Sequence, residues 1–208
     1  QGDSVEIAMP QVEEGTTASS FVANTTGSPK FITGATYGPR VPMILVEPSA
    51  TNLVTNSSLF IEFGGATRVD GIDAPDGSTD AVRISNAQAV ANNFVRCATT
   101  TVPTGSAIDL SGSVYVRGVA GETVRVNMKR VTAGPFVAST TQTVVLTGVW
   151  QRVENLTLTT DPANDRMAIY ISSASATADT IDVWGSQIED GSVSTSVIPT
   201  SGSTVTRA

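Results

Sequence analysis

The sequence predicts an all-β protein, a two-sheet antiparallel β-sandwich of the jelly-roll kind, with an N-terminal strand and linker segment in front of it. Three observations predict this class. Val, Thr, Ser, Ala and Gly are abundant, while no long window carries Ala, Leu, Glu and Lys at helical spacing. Short apolar or alternating runs recur at short intervals along the chain. Turn-forming sets separate them: Pro103-Thr104-Gly105, Gly118 to Gly121, Gly134-Pro135, Gly148 and Asp161-Pro162. About ten short strands without a helix bury their apolar faces best as two packed sheets.

Residues Gln1 to Pro39 are rich in Gly, Ser and Thr around one short strand, Val5 to Met9. The tract Asn24 to Tyr37 reads as a linker, which divides the chain into a connector, residues 1–40, and a sandwich, residues 41–208. From Val41 to Phe63 two apolar runs flank a turn set by Pro48 and Asn52, and Gly64 to Asp80 reads as a polar loop. Eight strands come after it: Ala81 to Ser85, Asn92 to Thr99, Ile108 to Arg117, Thr123 to Val131, Phe136 to Leu146, Trp150 to Thr159, Met167 to Ser172 and Ile181 to Ile188. Alternation gives them two faces. Val124, Val126 and Met128 point inward against outward Arg125, Asn127 and Lys129. Val114 and Val116 oppose Ser113, Tyr115 and Arg117, and Met167, Ile169 and Ile171 oppose Tyr170.

The end of the chain echoes its beginning. VEIAMPQVEEGTTASSF, Val5 to Phe21, aligns with IDVWGSQIEDGSVSTSV, Ile181 to Val197, through Gln11/Gln187, Glu13/Glu189, Gly15/Gly191 and Ser20/Ser196. The offset of about 176 residues suits one whole domain and not a solenoid repeat. The chain is therefore expected to open with the tail of a preceding copy, the alternative being two similar acidic hairpins in one domain. A start at Gln1 without Met agrees with a processed product or a piece of a longer polypeptide.

Composition excludes several classes of function. With 12 Lys and Arg against 19 Asp and Glu, the net charge of -7 has the wrong sign for neutralising phosphates, so nucleic acid is not an expected partner. No apolar stretch approaches the roughly 20 residues of a membrane-crossing helix, so membrane insertion is not expected either. A lone cysteine, Cys97, allows no intrachain disulfide and reads as a small buried apolar residue. The absence of histidine removes Ser-His-Asp and Cys-His nucleophile systems and His-based zinc sites. The acid pairs Glu13-Glu14 and Glu189-Asp190 do not supply catalytic carboxylates either. Neighbours on a strand face opposite ways, whereas glycoside cleavage needs two carboxyls across a cleft; they read as solvated strand ends.

No catalytic residue is therefore assigned. The candidate ligand-binding set is Tyr115, Arg117, Arg125, Asn127 and Tyr170, taken as one outer sheet face: Tyr rings stack on the C–H faces of pyranoses while Arg and Asn bond hydroxyls. The competing reading is a plain solvated sheet face. Trp150 and Trp184 read as structural rings plugging a sandwich end. Asp70, Asp73, Asp76 and Asp80 carry the hard oxygens that Ca²⁺ prefers, without EF-hand spacing, and Asp76-Gly77 is also a good turn. No other cofactor is indicated.

Five segments carry a family resemblance: LVEPSATNLVTNSSLF at Leu45 to Phe60, APDGSTDAVRIS at Ala74 to Ser85, SVYVRG at Ser113 to Gly118, Trp150-x-Arg152-Val153-Glu154, and VWGSQIEDGSVSTSVIPTSGSTVTRA from Val183 to the end. Together they resemble a module of phage fibre and other virion proteins, itself similar to jelly-roll carbohydrate-binding modules. The resemblance spans Val41 to Ala208; in the first copy of the echo, Ala8 and Met9 stand where the second has Trp184 and Gly185. It implies a sandwich fold, a non-enzymatic structural role on the virion surface as fibre, spike or capsid decoration, other virion proteins as partners, and recognition of a cell-surface polysaccharide. It also implies a homo-oligomer, with trimers common among fibres. The alternative is a carbohydrate-binding module of a secreted glycan-active protein; a polysaccharide hydrolase or lyase would need converging groups that the sequence does not assemble.

Overall fold

The computed structural model describes residues 47–63, 65–85, 94–101, 107–130, 139–160, 166–174 and 180–207. The chain divides into two compact units, Gln1–Pro48 and Ser49–Ala208. The expected connector, with its strand Val5 to Met9, its linker and the first copy of the echo, lies outside the described residues.

Twelve strands are described: β1 (Ala50–Asn52), β2 (Phe60–Phe63), β3 (Thr67–Ile72), β4 (Ala81–Ser85), β5 (Phe94–Thr101), β6 (Asp109–Gly118), β7 (Thr123–Arg130), β8 (Ser139–Val145), β9 (Gln151–Thr159), β10 (Arg166–Ser173), β11 (Ile181–Asp190) and β12 (Val205–Arg207). Ten of them form two five-stranded sheets: the first in the order β2-β5-β10-β7-β8 and the second in the order β3-β4-β11-β6-β9. Every strand pairing is antiparallel. The fold is the jelly-roll β-sandwich that composition and turn spacing predict. A small third sheet, β1 with β12, pairs Ala50 with Arg207 and Asn52 with Val205.

Three strands depart from the sequence expectation: β3, β1, and β12, which lies in the terminal stretch where the sequence predicts no strand. β3 lies inside the stretch read as a polar loop: it is an edge strand whose residues are all exposed or half-exposed, so no apolar alternation marks it. Asn52, expected in a turn, ends β1 and is fully buried.

The inward residues interleave between the sheets. Phe60, Val124, Val126, Met128, Met167, Ile169 and Ile171 come from the first sheet, and Val82, Ile84, Leu110, Val114, Val116, Ile181, Val183 and Ile188 from the second. Gly112 on β6 lies directly against side chains of the opposite layer. A Cβ there would lie 2.9 Å from Met128 Sδ and 3.2 Å from Ile169 Cδ1, so the core is filled across the gap by the opposite sheet's side chains.

Candidate functional site

The five residues expected on one face lie on two. β6, with Tyr115 and Arg117, belongs to the second sheet, while β7 and β10, with Arg125, Asn127 and Tyr170, belong to the first. Consecutive strands often pair as hairpins, but residues 119–122 carry the chain from one sheet to the other. Outward side chains of β6 and β7 therefore point away from opposite sides of the sandwich.

On the first sheet, cross-strand registration builds one continuous row. Ile61 of β2 stands opposite Arg96 of β5, Arg96 opposite Tyr170 of β10, Tyr170 opposite Asn127 of β7, and Asn127 opposite Thr141 of β8. A parallel row joins Ser172, Arg125 and Thr143. The Thr141 hydroxyl donates to Asn127 Oδ1 at 2.6 Å, and Arg125, Thr141 and Thr143 are exposed. Tyr170 is not the open stacking ring expected of it, because only 6% of it is exposed. Ala168 stands opposite Lys129, and the Lys129 Nζ lies 5.3 Å from the Tyr170 ring centroid. Burial pushes the Tyr170 phenol up from its ordinary value, while the charge and hydrogen bond of Arg96 partly offset the shift.

The second sheet's outer face is largely filled by the chain itself. Asp182 of β11, 3% exposed, is gripped from both sides. Arg83 donates through Nε at 2.7 Å and Nη2 at 3.1 Å, and Arg117 through Nε at 3.0 Å and Nη2 at 2.8 Å. The hydrogen bonds to Asp182 hold the Arg83 guanidinium above its ordinary pKa. The Arg117 guanidinium lies 4.6 Å from the Trp150 ring centroid. One row along, the Tyr115 ring meets Trp184 edge-on at 5.3 Å, and the Arg152 guanidinium lies 5.9 Å from the Tyr115 centroid. Tyr115 is thus a packing residue here, and Arg117 an ion-pairing one.

Beyond Trp184 the segment 191–200 folds back across this face. Between Trp184 and Gln187, β11 carries one more residue than its partner β6, a bulge that puts both side chains outward. Gly185 occupies it with φ +62°, a conformation that costs other residues strain. Gln187 Oε1 accepts from the Ile198 N–H at 2.7 Å. Glu189 accepts from the Thr195 N–H at 2.9 Å and its hydroxyl at 2.5 Å. Asn52 adds a second anchor: its Nδ2 donates to the Ile198 carbonyl at 2.9 Å, and its Oδ1 accepts from Val54 and Ile188 N–H at 3.1 and 3.3 Å. Ser57 Oγ accepts from the Thr200 N–H at 3.1 Å, and Asn155 and Ser194 bond each other's backbone N–H. The W-G-x-Q-I-E-D-G pattern is thus a bulge plus two buried acceptors for the returning tail.

This arrangement corrects two expectations. Glu189 is not at a solvated strand end but 1% exposed, because the tail's unpaired N–H groups need an acceptor. Trp184 does not plug a sandwich end; it packs outward with Ala74, Ala81, Tyr115 and Val197. The acids of the 70–80 stretch do not converge. Asp70 pairs with Arg68 at 2.6 Å, and Asp76 accepts from the Ser78 N–H at 2.9 Å, which lowers its carboxyl pKa. Among the described residues no three acids group as a cation site. Sequence reasoning missed Arg96, Asp182, Asn52 and Ser57. The signal for Asp182 was visible, since an acid between Ile181 and Val183 shares its outward parity with Trp184.

No family model matches the sequence, and no curated protein matches it. Solved structures do. The Clostridium thermocellum endo-1,4-β-D-xylanase 10B CBM22-1 and GH10 modules, complexed with xylohexaose, match at 12% identity and TM-score 0.49, over 67% of this chain and 27% of that one. The bacteriophage CBA120 tailspike protein 4 enzymatically active domain matches at 12% identity and TM-score 0.46, over 67% and 21%. The CBM22-1 xylan-binding domain of Paenibacillus barcinonensis Xyn10C matches at 14% identity and TM-score 0.46, over 71% and 95%. The chain thus spans about a quarter of the length of the first two, and most of the third; the structures it is similar to include carbohydrate-binding modules and a phage tailspike.

Proposed function

We propose that this chain is a non-enzymatic glycan-binding module, reading a cell-surface polysaccharide through the outer face of its first sheet. The observation that carries the reading is the cross-strand row Arg96, Tyr170, Asn127 and Thr141, with Arg125 and Thr143 beside it. Strands repeat about every 4.8 Å, and the part of the row open to a ligand is Asn127 and Thr141 with Arg125 and Thr143 beside them, while Tyr170 and Arg96 bond each other beneath its other end. That repeat is near the rise of one hexose along an extended chain. Amide, hydroxyl and guanidinium groups match sugar hydroxyls, which both donate and accept. The non-enzymatic part is supported by the fate of the buried carboxylates: Asp182 is occupied by two guanidinium groups and Glu189 by Thr195.

Glycan-array binding followed by titration calorimetry tests this. Arg125→Ala with Asn127→Ala should weaken the best ligand by tenfold or more, by removing two bonding groups worth about 1 kcal/mol each; unchanged affinity sinks the reading. The place of the module is part of the same proposal: a virion component, as fibre, spike or capsid decoration, supported by the sequence resemblance to such modules. Detection of the chain in purified particles would uphold it. Recovery only in a secreted glycan-active protein would replace the virion by that carrier.

A further inference from the structure

We propose a second ligand site on the opposite face of the sandwich, at Arg83, Arg117 and Trp150, for the carboxylate of an acidic sugar such as a uronate. The site is independent of the row on the first sheet and rests only on the reading of the chain as a glycan binder.

Its chemistry starts from an imbalance. Two guanidinium groups converge on the single carboxylate of Asp182, each with donors within 3.1 Å of its oxygens. The two Asp182 oxygens accept all four of these bonds, so the cluster keeps one positive charge in a chain whose net charge is -7. Arg83 and Arg117 each use Nε and Nη2 on Asp182. Their Nη1 groups, two N–H donors apiece, make no hydrogen bond to a described residue. The two side chains are 44% and 26% exposed, so an outside acceptor can reach them. Asp70, on the strand that pairs with that of Arg83, is itself paired with Arg68. A carboxylate suits such a fork better than a hydroxyl, because charge-assisted bonds to guanidinium are roughly twice as strong as neutral ones.

Trp150 supplies the other half of a sugar site. It is half-buried, with the Arg117 guanidinium over its ring and the Trp184 cluster packed against it, and the turn that carries it is held from both sides by one side chain. Gln151 Oε1 accepts from the Thr147 N–H at 2.9 Å, and its Nε2 donates to the Val145 carbonyl at 3.2 Å. The indole and its neighbour Val149, 65% exposed, are thus presented on a fixed turn at the rim of the arginine pair. An apolar ring surface beside two guanidinium groups with donors to spare fits a pyranose that carries a carboxylate. A neutral sugar would leave the charge unanswered, and a simple anion would make no use of the part of the half-buried indole left open by Arg117 and the Trp184 cluster.

Affinity electrophoresis of the whole chain in gels containing a polyuronate, a sulfated polysaccharide or a neutral β-glucan tests the site. Polyuronate should retard the wild type more than either other polymer, and the retardation should fall as salt is raised from about 50 to 500 mM, as screening demands. Arg83→Gln leaves Arg117 on Asp182 and so keeps the buried carboxylate paired; it should weaken polyuronate binding about tenfold. Trp150→Phe, which keeps an aromatic ring on the turn, should weaken it less than Trp150→Ala. Equal retardation by the sulfated polymer would overturn the sugar-acid assignment. Polyuronate binding that Arg83→Gln leaves intact while Arg125→Ala with Asn127→Ala removes it would move the acidic ligand to the first sheet and overturn the second site. Loss of neutral-glycan binding alone would count against the first-sheet reading and leave this site standing.

Discussion

The two outer faces of the sandwich are built from the same ingredients and used in opposite ways. Each has a tyrosine on an inner strand opposite a polar residue of the neighbouring strand, Tyr170 with Asn127 on the first sheet and Tyr115 with Arg152 on the second. On the second sheet the chain's own segment 191–200 takes up the polar groups, so most of that face is internal structure with an open charged corner at Arg83 and Arg117. On the first sheet the row runs to exposed Arg125, Thr141 and Thr143. Outward parity on a strand is therefore not exposure. Whether an outward residue meets water or protein depends on where the later chain is laid down.

The largest effect that would break this comparison lies under the tail. Gln187→Ala or Glu189→Ala leaves backbone N–H groups of Ile198 or Thr195 buried without an acceptor, at a cost of about 1–3 kcal/mol for each orphaned group. Urea denaturation should show midpoints shifted accordingly, with Asn52→Ala comparable. Arg125→Ala or Thr143→Ala on the first sheet should stay within about 0.5 kcal/mol of wild type. Equal destabilisation on both faces would mean that the tail does not carry the stability assigned to it.

A smaller shift is expected at the bulge. Gly185→Ala places a Cβ on a residue with φ +62°, at a cost of about 1–2 kcal/mol, and that Cβ would lie 3.7 Å from Val197 without a clash. The loss should therefore come from the backbone alone. Val197→Ala should cost a similar amount by another route, thinning the cover over Trp184. If Gly185→Ala is neutral, the bulge conformation is not what orients Gln187.

Much of this architecture was legible in the residues. Inward sets such as Val124, Val126, Met128 and Met167, Ile169, Ile171 come directly from period-two alternation, and the strands from β4 to β11 from turn spacing. The pairing of sheets was not legible, because the sequence shows which residues of β6 and β7 point outward but not that residues 119–122 cross between layers. That one topological fact splits Tyr115 and Arg117 from Arg125, Asn127 and Tyr170. β3 was hidden for a different reason: an edge strand with two wet faces has no hydrophobic period to read. The terminal motif was recognisable as a pattern, yet its meaning needed the fold, since Gln187 and Glu189 face outward and are buried only by residues that come after them.

The smallest effect sharpens the contrast on the first sheet, where Tyr170 is the buried member of an otherwise accessible row. Burial raises its phenol pKa in the folded chain, so folding disfavours the phenolate. Its contribution to stability is accordingly fully present below the unfolded tyrosine value of about 10 and is lost as pH rises from there through the folded value. Alkaline titration of tyrosinate absorbance should show a late-ionising component, and Tyr170→Phe should remove it. The same variant should lose less stability than wild type above pH of about 10. If the late component survives in Tyr170→Phe, the phenol is as open as the threonines beside it, and the first face is a stacking surface as well as a hydrogen-bonding one.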